Sequence, residues 1–193
     1  ANKNNVRRIA ESPLFEVGHH SQSHESFQAH LNRGLDARQY VSEQILKLHN
    51  NPKYQAKILK QGNRHYFRLP YGAGANDLRV QKALLGLGYK SNVVWDVDPK
   101  DWERHQTKAS IYKSLVDGTK NICAKNPNNG AVLLLHDIHL RSVDAAIDFV
   151  NWVKQNHPDW EFAHLHELPS SNTSFKWRGT GPRSFDPSEQ GVH

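Results

Sequence analysis

The sequence predicts an α/β fold, and three observations carry that prediction. Short apolar runs alternate with amphipathic segments along the 193 residues, the pattern of strand-then-helix units. The run 131–135, Ala-Val-Leu-Leu-Leu, is apolar throughout, as strands buried on both faces of a parallel sheet are. Polar residues with chemical potential follow directly on these runs: His20 and His24, Arg68, Asp98 and Asp101, and His136. In open doubly wound sheets and in β/α barrels, sites gather at the C-terminal ends of strands. One composite site on either architecture is therefore expected.

Each element has a local reason. Residues 6–11 read as the last turns of a helix stopped by Pro13, because proline cannot continue the hydrogen-bond ladder. Residues 14–17 form a short strand-like run ending at Gly18, followed by a polar stretch over 19–25. Over 39–49, Tyr40, Val41, Ile45 and Leu48 share one helical face. Residues 66–69 are a strand closed by Pro70, Tyr71 and Gly72. Asn76 is the expected cap of a helix through Val80, Leu84 and Leu87, with Gly88 as its stop. Residues 93–97 are the next buried strand, and Ile111, Leu115, Val116 and Ile122 mark another helix. Ser142 is the expected cap of a helix carrying Val143, Ile147, Val150 and Val153, and residues 160–165 are the expected last strand. The domain is expected over residues 1–168. Residues 169–193, rich in Ser, Gly and Pro without a period, read as a tail.

Composition narrows the function. The length suits one domain with a substantial core. No apolar run approaches the length that spans a bilayer, and no signal-peptide pattern opens the chain. The single cysteine, Cys123, excludes an intrachain disulfide. A net charge of +6 and a pI near 9.4 invite a nucleic-acid reading, but the basic residues are dispersed and no RNA-binding aromatic motif is present. Nucleic acid is therefore not the expected partner, and a basic surface equally suits an anionic cell-wall polymer. The chain starts at Ala1 and contains no methionine, so a processed or truncated chain is expected.

Four motifs carry the chemistry. His20 and His24, four apart in His-Ser-Gln-Ser-His, would lie on one side of a helical turn, where two imidazoles can chelate a transition metal. With 13 histidines in the chain, a solvated polar turn explains that spacing equally well. Arg68-Leu69-Pro70-Tyr71-Gly72 offers a guanidinium for a carboxylate and a turn with backbone N–H groups for an oxyanion; alone it also reads as a surface ion pair. Trp95-Asp96-Val97-Asp98-Pro99-Lys100-Asp101-Trp102 sets indole faces beside carboxylates, as a sugar groove requires, or is a core tryptophan before an acidic loop. His136 ends the most apolar run and precedes Asp137. Burial and a carboxylate neighbour can tune such a histidine for proton transfer, though a hydrogen-bonded core histidine is as natural a reading.

In chain order these segments read His-Ser-x-x-His, Arg-x-Pro-Tyr, Asp-x-x-Asp-Trp and Leu-x-Leu-His-Asp. That order resembles the polysaccharide deacetylases, the carbohydrate esterase family that includes chitooligosaccharide, chitin, peptidoglycan and acetylxylan deacetylases. The resemblance runs from Val6 to about Leu168 and includes four of the family's five motifs. It implies a distorted (β/α) barrel and a divalent transition metal, zinc being the expected one. It implies His20 and His24 as metal ligands, with Ser21 bracing their loop, and Arg68 orienting the catalytic base. The Tyr71 N–H would serve the oxyanion hole, and His136 would be the general acid tuned by Asp101. Trp95 and Leu134 would line the pocket for the acetyl methyl.

The family's first motif, Thr-Phe-Asp-Asp-Gly, supplies the base and the third metal ligand and does not occur in these residues; Ser184-Phe185-Asp186-Pro187 is a superficial echo of it. The resemblance therefore places those groups, with two strands and a helix, upstream of Ala1. The expected activity is metal-dependent hydrolysis of acetamide or acetyl ester groups on a polysaccharide, with N-acetylglucosamine of chitin-type oligomers or peptidoglycan first. The expected location is extracytoplasmic. A glycan-binding module without turnover, an amide hydrolase acting on a small molecule and an α/β domain with coincidental histidines are the alternatives, and the motifs are silent on oligomeric state.

Overall fold

The computed structural model describes residues 5, 8–9, 11–49, 66–89, 91–125, 127 and 130–168. The chain divides into two compact units with the break between Val94 and Trp95. The tail at 169–193 and most of the segment before Glu11, including Val6, lie outside the described residues.

In the first unit, short polar side chains start the helices. The Ser26 hydroxyl accepts the Ala29 N–H at 3.3 Å and opens α1, Phe27–Asn32. The Asp36 carboxylate accepts the Gln39 N–H at 2.7 Å near the start of α2, Ala37–His49. Such caps satisfy N–H groups that the helix itself cannot. After β1, Tyr66–Phe67, Asp77 caps α3, Leu78–Gly86, by accepting the Arg79 N–H at 2.9 Å. Then follows β2, Ser91–Asn92. The strands β1 and β2 are parallel, with Phe67 opposite Asn92, and His19 pairs with Phe67 in a parallel bridge on the other side. Helices α1 and α2 lie in the crossover from His19 to β1, and α3 in that from β1 to β2. Parallel pairing demands such connections.

The apolar faces of these elements meet in one core. Phe27, Val41, Ile45, Phe67, Leu69, Val80 and Leu84 are almost wholly excluded from water. Phe27 stands edge-on to Tyr40 and Phe67, with ring centroids 5.0 and 5.8 Å away. Burying one such side chain stabilises the fold by about 1.5–3 kcal/mol.

The second unit holds α4, Lys108–Lys125, and α5, Leu140–Asn156. Ile111, Leu115 and Val116 of α4 pack on Ala145, Phe149 and Val153 of α5. Val97 and Leu133 form a parallel bridge, with Asp96 and Leu134 N–H groups donating across it at 2.8 and 2.9 Å. Gly118 allows α4 to approach this bridge, since a Cβ there would stand 2.6 Å from a Val97 methyl.

Several sequence expectations need correction. The helix α1 was not foreseen, because six residues with Phe27 and Leu31 as their buried pair give too little periodicity. Asp77, rather than Asn76, caps α3, since its carboxylate also binds the Arg79 guanidinium. His139 is the N-cap of α5, while Ser142 is inside the helix and buried. The buried face of α5 runs through Ser142, Ala145, Phe149 and Val153, and Val143 and Ile147 are exposed. Residues 14–17 carry no ladder, and Leu14 and Phe15 are exposed; pairing begins at His19. Residues 131–135 are reduced to one bridge at Leu133, and the ladder at 93–97 begins instead at Ser91. Residues 160–164 carry no ladder, with Phe162 exposed, and Leu165–Glu167 is a 3₁₀ turn. A strand needs a neighbour to hydrogen-bond, and none of the described residues supplies one there. The expected helix face at 40, 41 and 45 is buried as read; the Leu48 side chain lies outside what is described.

Candidate functional site

The histidine loop of the first unit follows the His19 bridge. It is not a helical turn, contrary to the geometry that the four-residue spacing suggests. Instead Ser21 and His24 adopt left-handed backbone angles, φ 65° and 55°, which reverse the chain and still bring the imidazoles together. The His20 and His24 rings stand 4.8 Å apart, edge to face. The His20 Nδ1 lies 2.5 Å from the Arg68 carbonyl oxygen. A carbonyl oxygen only accepts, so Nδ1 carries the proton and the ring's lone pair is on Nε2. That is the tautomer a metal-ligating imidazole adopts, with a backbone carbonyl as its outer partner.

Left-handed conformations cost side-chain-bearing residues roughly 1–2 kcal/mol each, so something must hold this loop. The Ser21 hydroxyl accepts the His24 N–H at 3.1 Å, the bracing expected of it. The Gln44 side-chain oxygen, buried on α2, accepts from the Gln22 N–H, the Ser23 N–H and the Ser23 hydroxyl at 3.1, 3.0 and 3.0 Å. Three such bonds at about 1 kcal/mol each are of the right size to offset the strain.

The Arg68–Tyr71 segment leaves β1 beside this loop, with the Arg68 N–H donating to the His19 carbonyl at 2.9 Å. Asn92, wholly buried on β2, accepts the Leu69 N–H at 2.9 Å and fixes the turn that follows. Tyr71 sits at φ 59° in that turn. Its ring packs edge-on to His24 at 4.9 Å, and its N–H donates to no acceptor among the described residues. Arg68 is half-buried, which pulls its guanidinium pKa down, and no carboxylate among the described residues pairs with it. The structure thus gathers His20, His24, Arg68 and Tyr71 in one place.

The second unit gathers Asp101 and His136. The Asp98 carboxylate accepts the Lys100 N–H at 2.8 Å, Lys100 takes φ 51°, and the tightened loop turns Asp101 inward until it is wholly buried. One Asp101 oxygen accepts the His136 backbone N–H, and the other lies 2.8 Å from His136 Nδ1. Burial alone would raise the Asp101 pKa; the ring and backbone N–H groups of His136 outweigh it and hold the carboxyl below its ordinary value. Because an ionised carboxylate only accepts, Nδ1 bears a proton and Nε2 is the nitrogen left to exchange one. Leu134 is buried, Trp95 half-buried and Trp102 half-exposed. An open cleft of about 390 Å³ in this unit, bordered by Asp96, Asp98, Asp117 and Asn121, touches none of the predicted site residues except through the loop they share.

Sequence reasoning missed Gln44, Asn92 and Arg141. The Arg141 guanidinium donates to the Asp101 and Glu103 carbonyls at 3.3 and 3.2 Å and so ties the acidic loop to α5. Gln44 had a signal: it is a polar residue on the apolar stripe of Tyr40, Val41 and Ile45. Asn92 had a weaker one, as an amide in an otherwise buried strand.

The chemistry of the donor set fits a transition metal in part. Two close imidazoles, one with its tautomer fixed, suit two positions of such an ion. Among the described residues, no cluster of three or more His, Cys, Asp or Glu side chains completes the set.

Comparison with known proteins gives a consistent picture. The family model for polysaccharide deacetylases matches residues 1–91. The peptidoglycan-N-acetylmuramic acid deacetylase PdaC of Bacillus subtilis is 31% identical over 136 residues, 70% of this chain and 24% of that protein. The chain thus spans about a quarter of this curated relative's length. The catalytic domain of a peptidoglycan N-acetylglucosamine deacetylase from Eubacterium rectale superposes with a TM-score of 0.61 at 19% identity, covering 85% of this chain and 72% of that one. The structure of B. subtilis PdaC superposes with a TM-score of 0.50 at 25% identity, covering 78% and 61%.

Proposed function

Since the chain is a homologue of the polysaccharide deacetylases, we propose that it removes acetyl groups from N-acetylated sugars of a cell-wall glycan, peptidoglycan first, with a divalent transition metal. Imidazole ligands suit zinc among other transition metals, and zinc is the ion we propose. The fold of the deacetylase domains is present, and we extend the reading to their distorted barrel. A cell-wall substrate puts the working enzyme outside the cytoplasm. The observation that carries the proposal is the His20–His24 pair, with the Arg68 carbonyl fixing the tautomer of His20.

A metal held by His20 and His24 would polarise the acetamide carbonyl and acidify a water molecule. The Tyr71 N–H donates to the oxygen on which negative charge develops. Arg68, half-buried without a carboxylate partner among the described residues, orients the carboxylate that takes the water's proton. His136, held through Nδ1 by Asp101, gives the Nε2 proton to the departing amine. Trp95 and Leu134 border the acetyl methyl. The products are acetate and a free amino sugar.

The test is acetate release from peptidoglycan, chitin oligomers and acetylxylan by this chain, alone and joined to any sequence that precedes Ala1 in its gene. Release from peptidoglycan above the other two is expected. Release from acetylxylan alone would contradict the amide specificity.

A further inference from the structure

We infer that Gln44 is a positioning residue for the metal-ligand loop, acting through its side-chain oxygen. The inference rests on the proposed metal role of His20 and His24 and deepens it. Gln44 comes from α2, an element that carries none of the site residues, and is 4% exposed. Its single oxygen gathers the Gln22 and Ser23 N–H groups and the Ser23 hydroxyl. Gln22 and Ser23 are the two residues between Ser21 and His24, both of which adopt left-handed angles. A chain segment with two such residues in four has many other conformations open to it. Anchoring its middle selects the one in which the rings of His20 and His24 stand 4.8 Å apart.

The alternative is that Gln44 is a buried polar residue that merely found partners. Its place on α2 argues against that. It is four residues after Tyr40, three after Val41 and beside Ile45, on the face that packs into the core. A leucine or methionine there would extend the core without an unpaired amide, and a buried polar group is tolerated only when its hydrogen bonds are made. The three bonds made all go to one loop, which identifies what the amide is for. The acceptor oxygen is the operative atom, since every bond donates to it. A glutamate therefore preserves the function, and a methionine of similar shape removes it.

The experiment is calorimetric titration of Zn²⁺ into the chain as wild type, Gln44→Met, Gln44→Glu and the His20→Ala/His24→Ala double variant. Amide hydrogen exchange at Gln22 and Ser23 is read alongside. Loss of outer partners of metal ligands weakens binding by about 10–100-fold, and that is expected for Gln44→Met, with Gln44→Glu within a few-fold of wild type. Gln44→Met binding as tightly as wild type, with binding still lost in the double histidine variant, overturns the inference and leaves the metal site standing. Equal weakening in Gln44→Met and Gln44→Glu also overturns it, because the oxygen is then not the operative atom. Undiminished binding in the double histidine variant removes the metal reading, and the inference with it. Exchange in the wild-type chain guards against a variant that does not fold: the Gln22 and Ser23 amides should be protected, and free exchange there contradicts the anchoring.

Discussion

His136 and Asp101 are joined by two hydrogen bonds, an arrangement that suits the separate roles proposed for them. Asp101 binds both the ring and the backbone of His136, so it sets the ring's orientation and keeps the proton on Nδ1. His136→Ala should lower turnover on an N-acetylated oligosaccharide by roughly two to four orders of magnitude, with the circular dichroism spectrum unchanged; near-normal turnover would exclude an acid role. Asp101 also makes a prediction about stability. Its folded pKa is lowered, so its contribution is fully present above the ordinary carboxylate value and is lost as pH falls through the depressed one. Urea unfolding of Asp101→Asn should therefore show a shallower loss of stability on acidification than wild type. At this scale the residues that the structure brings together, His20 with His24 and Asp101 with His136, were singled out by their order in the chain. Their conformations were not, because left-handed angles at Ser21 and His24 leave no trace in residue type. Gln44 and Arg141 act through contacts between distant segments, which spacing does not encode.

Helix α4 reaches the Val97 bridge only because residue 118 has no side chain. A methyl group there would meet a Val97 methyl at 2.6 Å, and a β-branched neighbour has little freedom to turn away. Gly→Ala inside a helix ordinarily stabilises by about 1 kcal/mol. Overpacking costs about 1–3 kcal/mol, so Gly118→Ala should give no gain or a net loss in urea unfolding, and a clear gain would contradict the close approach. At the other end of the same scale, Asp77→Ala should cost about 1 kcal/mol through loss of the α3 cap. Helices were more legible than strands. Residues 40, 41, 45, 111, 115 and 116 announced their faces by period. Strands reduced to two residues or one bridge, as at Tyr66–Phe67 and Leu133, show no alternation to read. The rotated face of α5 has the same origin: Ala145 is small and Ser142 polar, so the sequence stripe favoured Val143 and Ile147, while close packing against α4 selected the smaller residues.

For the molecule as a whole, the parallel pairing of His19, β1 and β2 with helices in the crossovers bears out an α/β fold. The joint order of four motifs identified the deacetylase relationship that the family match supports. Motif order was readable because each motif follows a point of parallel pairing, a short strand or a single bridge, so chemistry and topology fall at the same places in the chain. The courses of the histidine loop and of the turn after β1 were not, since they depend on the buried amides of Gln44 and Asn92 supplied from elsewhere. The central claim is that His20 and His24 hold a metal on which deacetylation depends. The measurement that meets it most directly is acetate release from peptidoglycan fragments before chelation, after chelation and after Zn²⁺ is restored, in the wild-type chain and in His20→Ala/His24→Ala, each joined to any sequence that precedes it in its gene. The account predicts that release stops on chelation and returns with Zn²⁺ in wild type, and is absent throughout in the double variant. Release that survives chelation, or that persists undiminished without the two histidines, would contradict it.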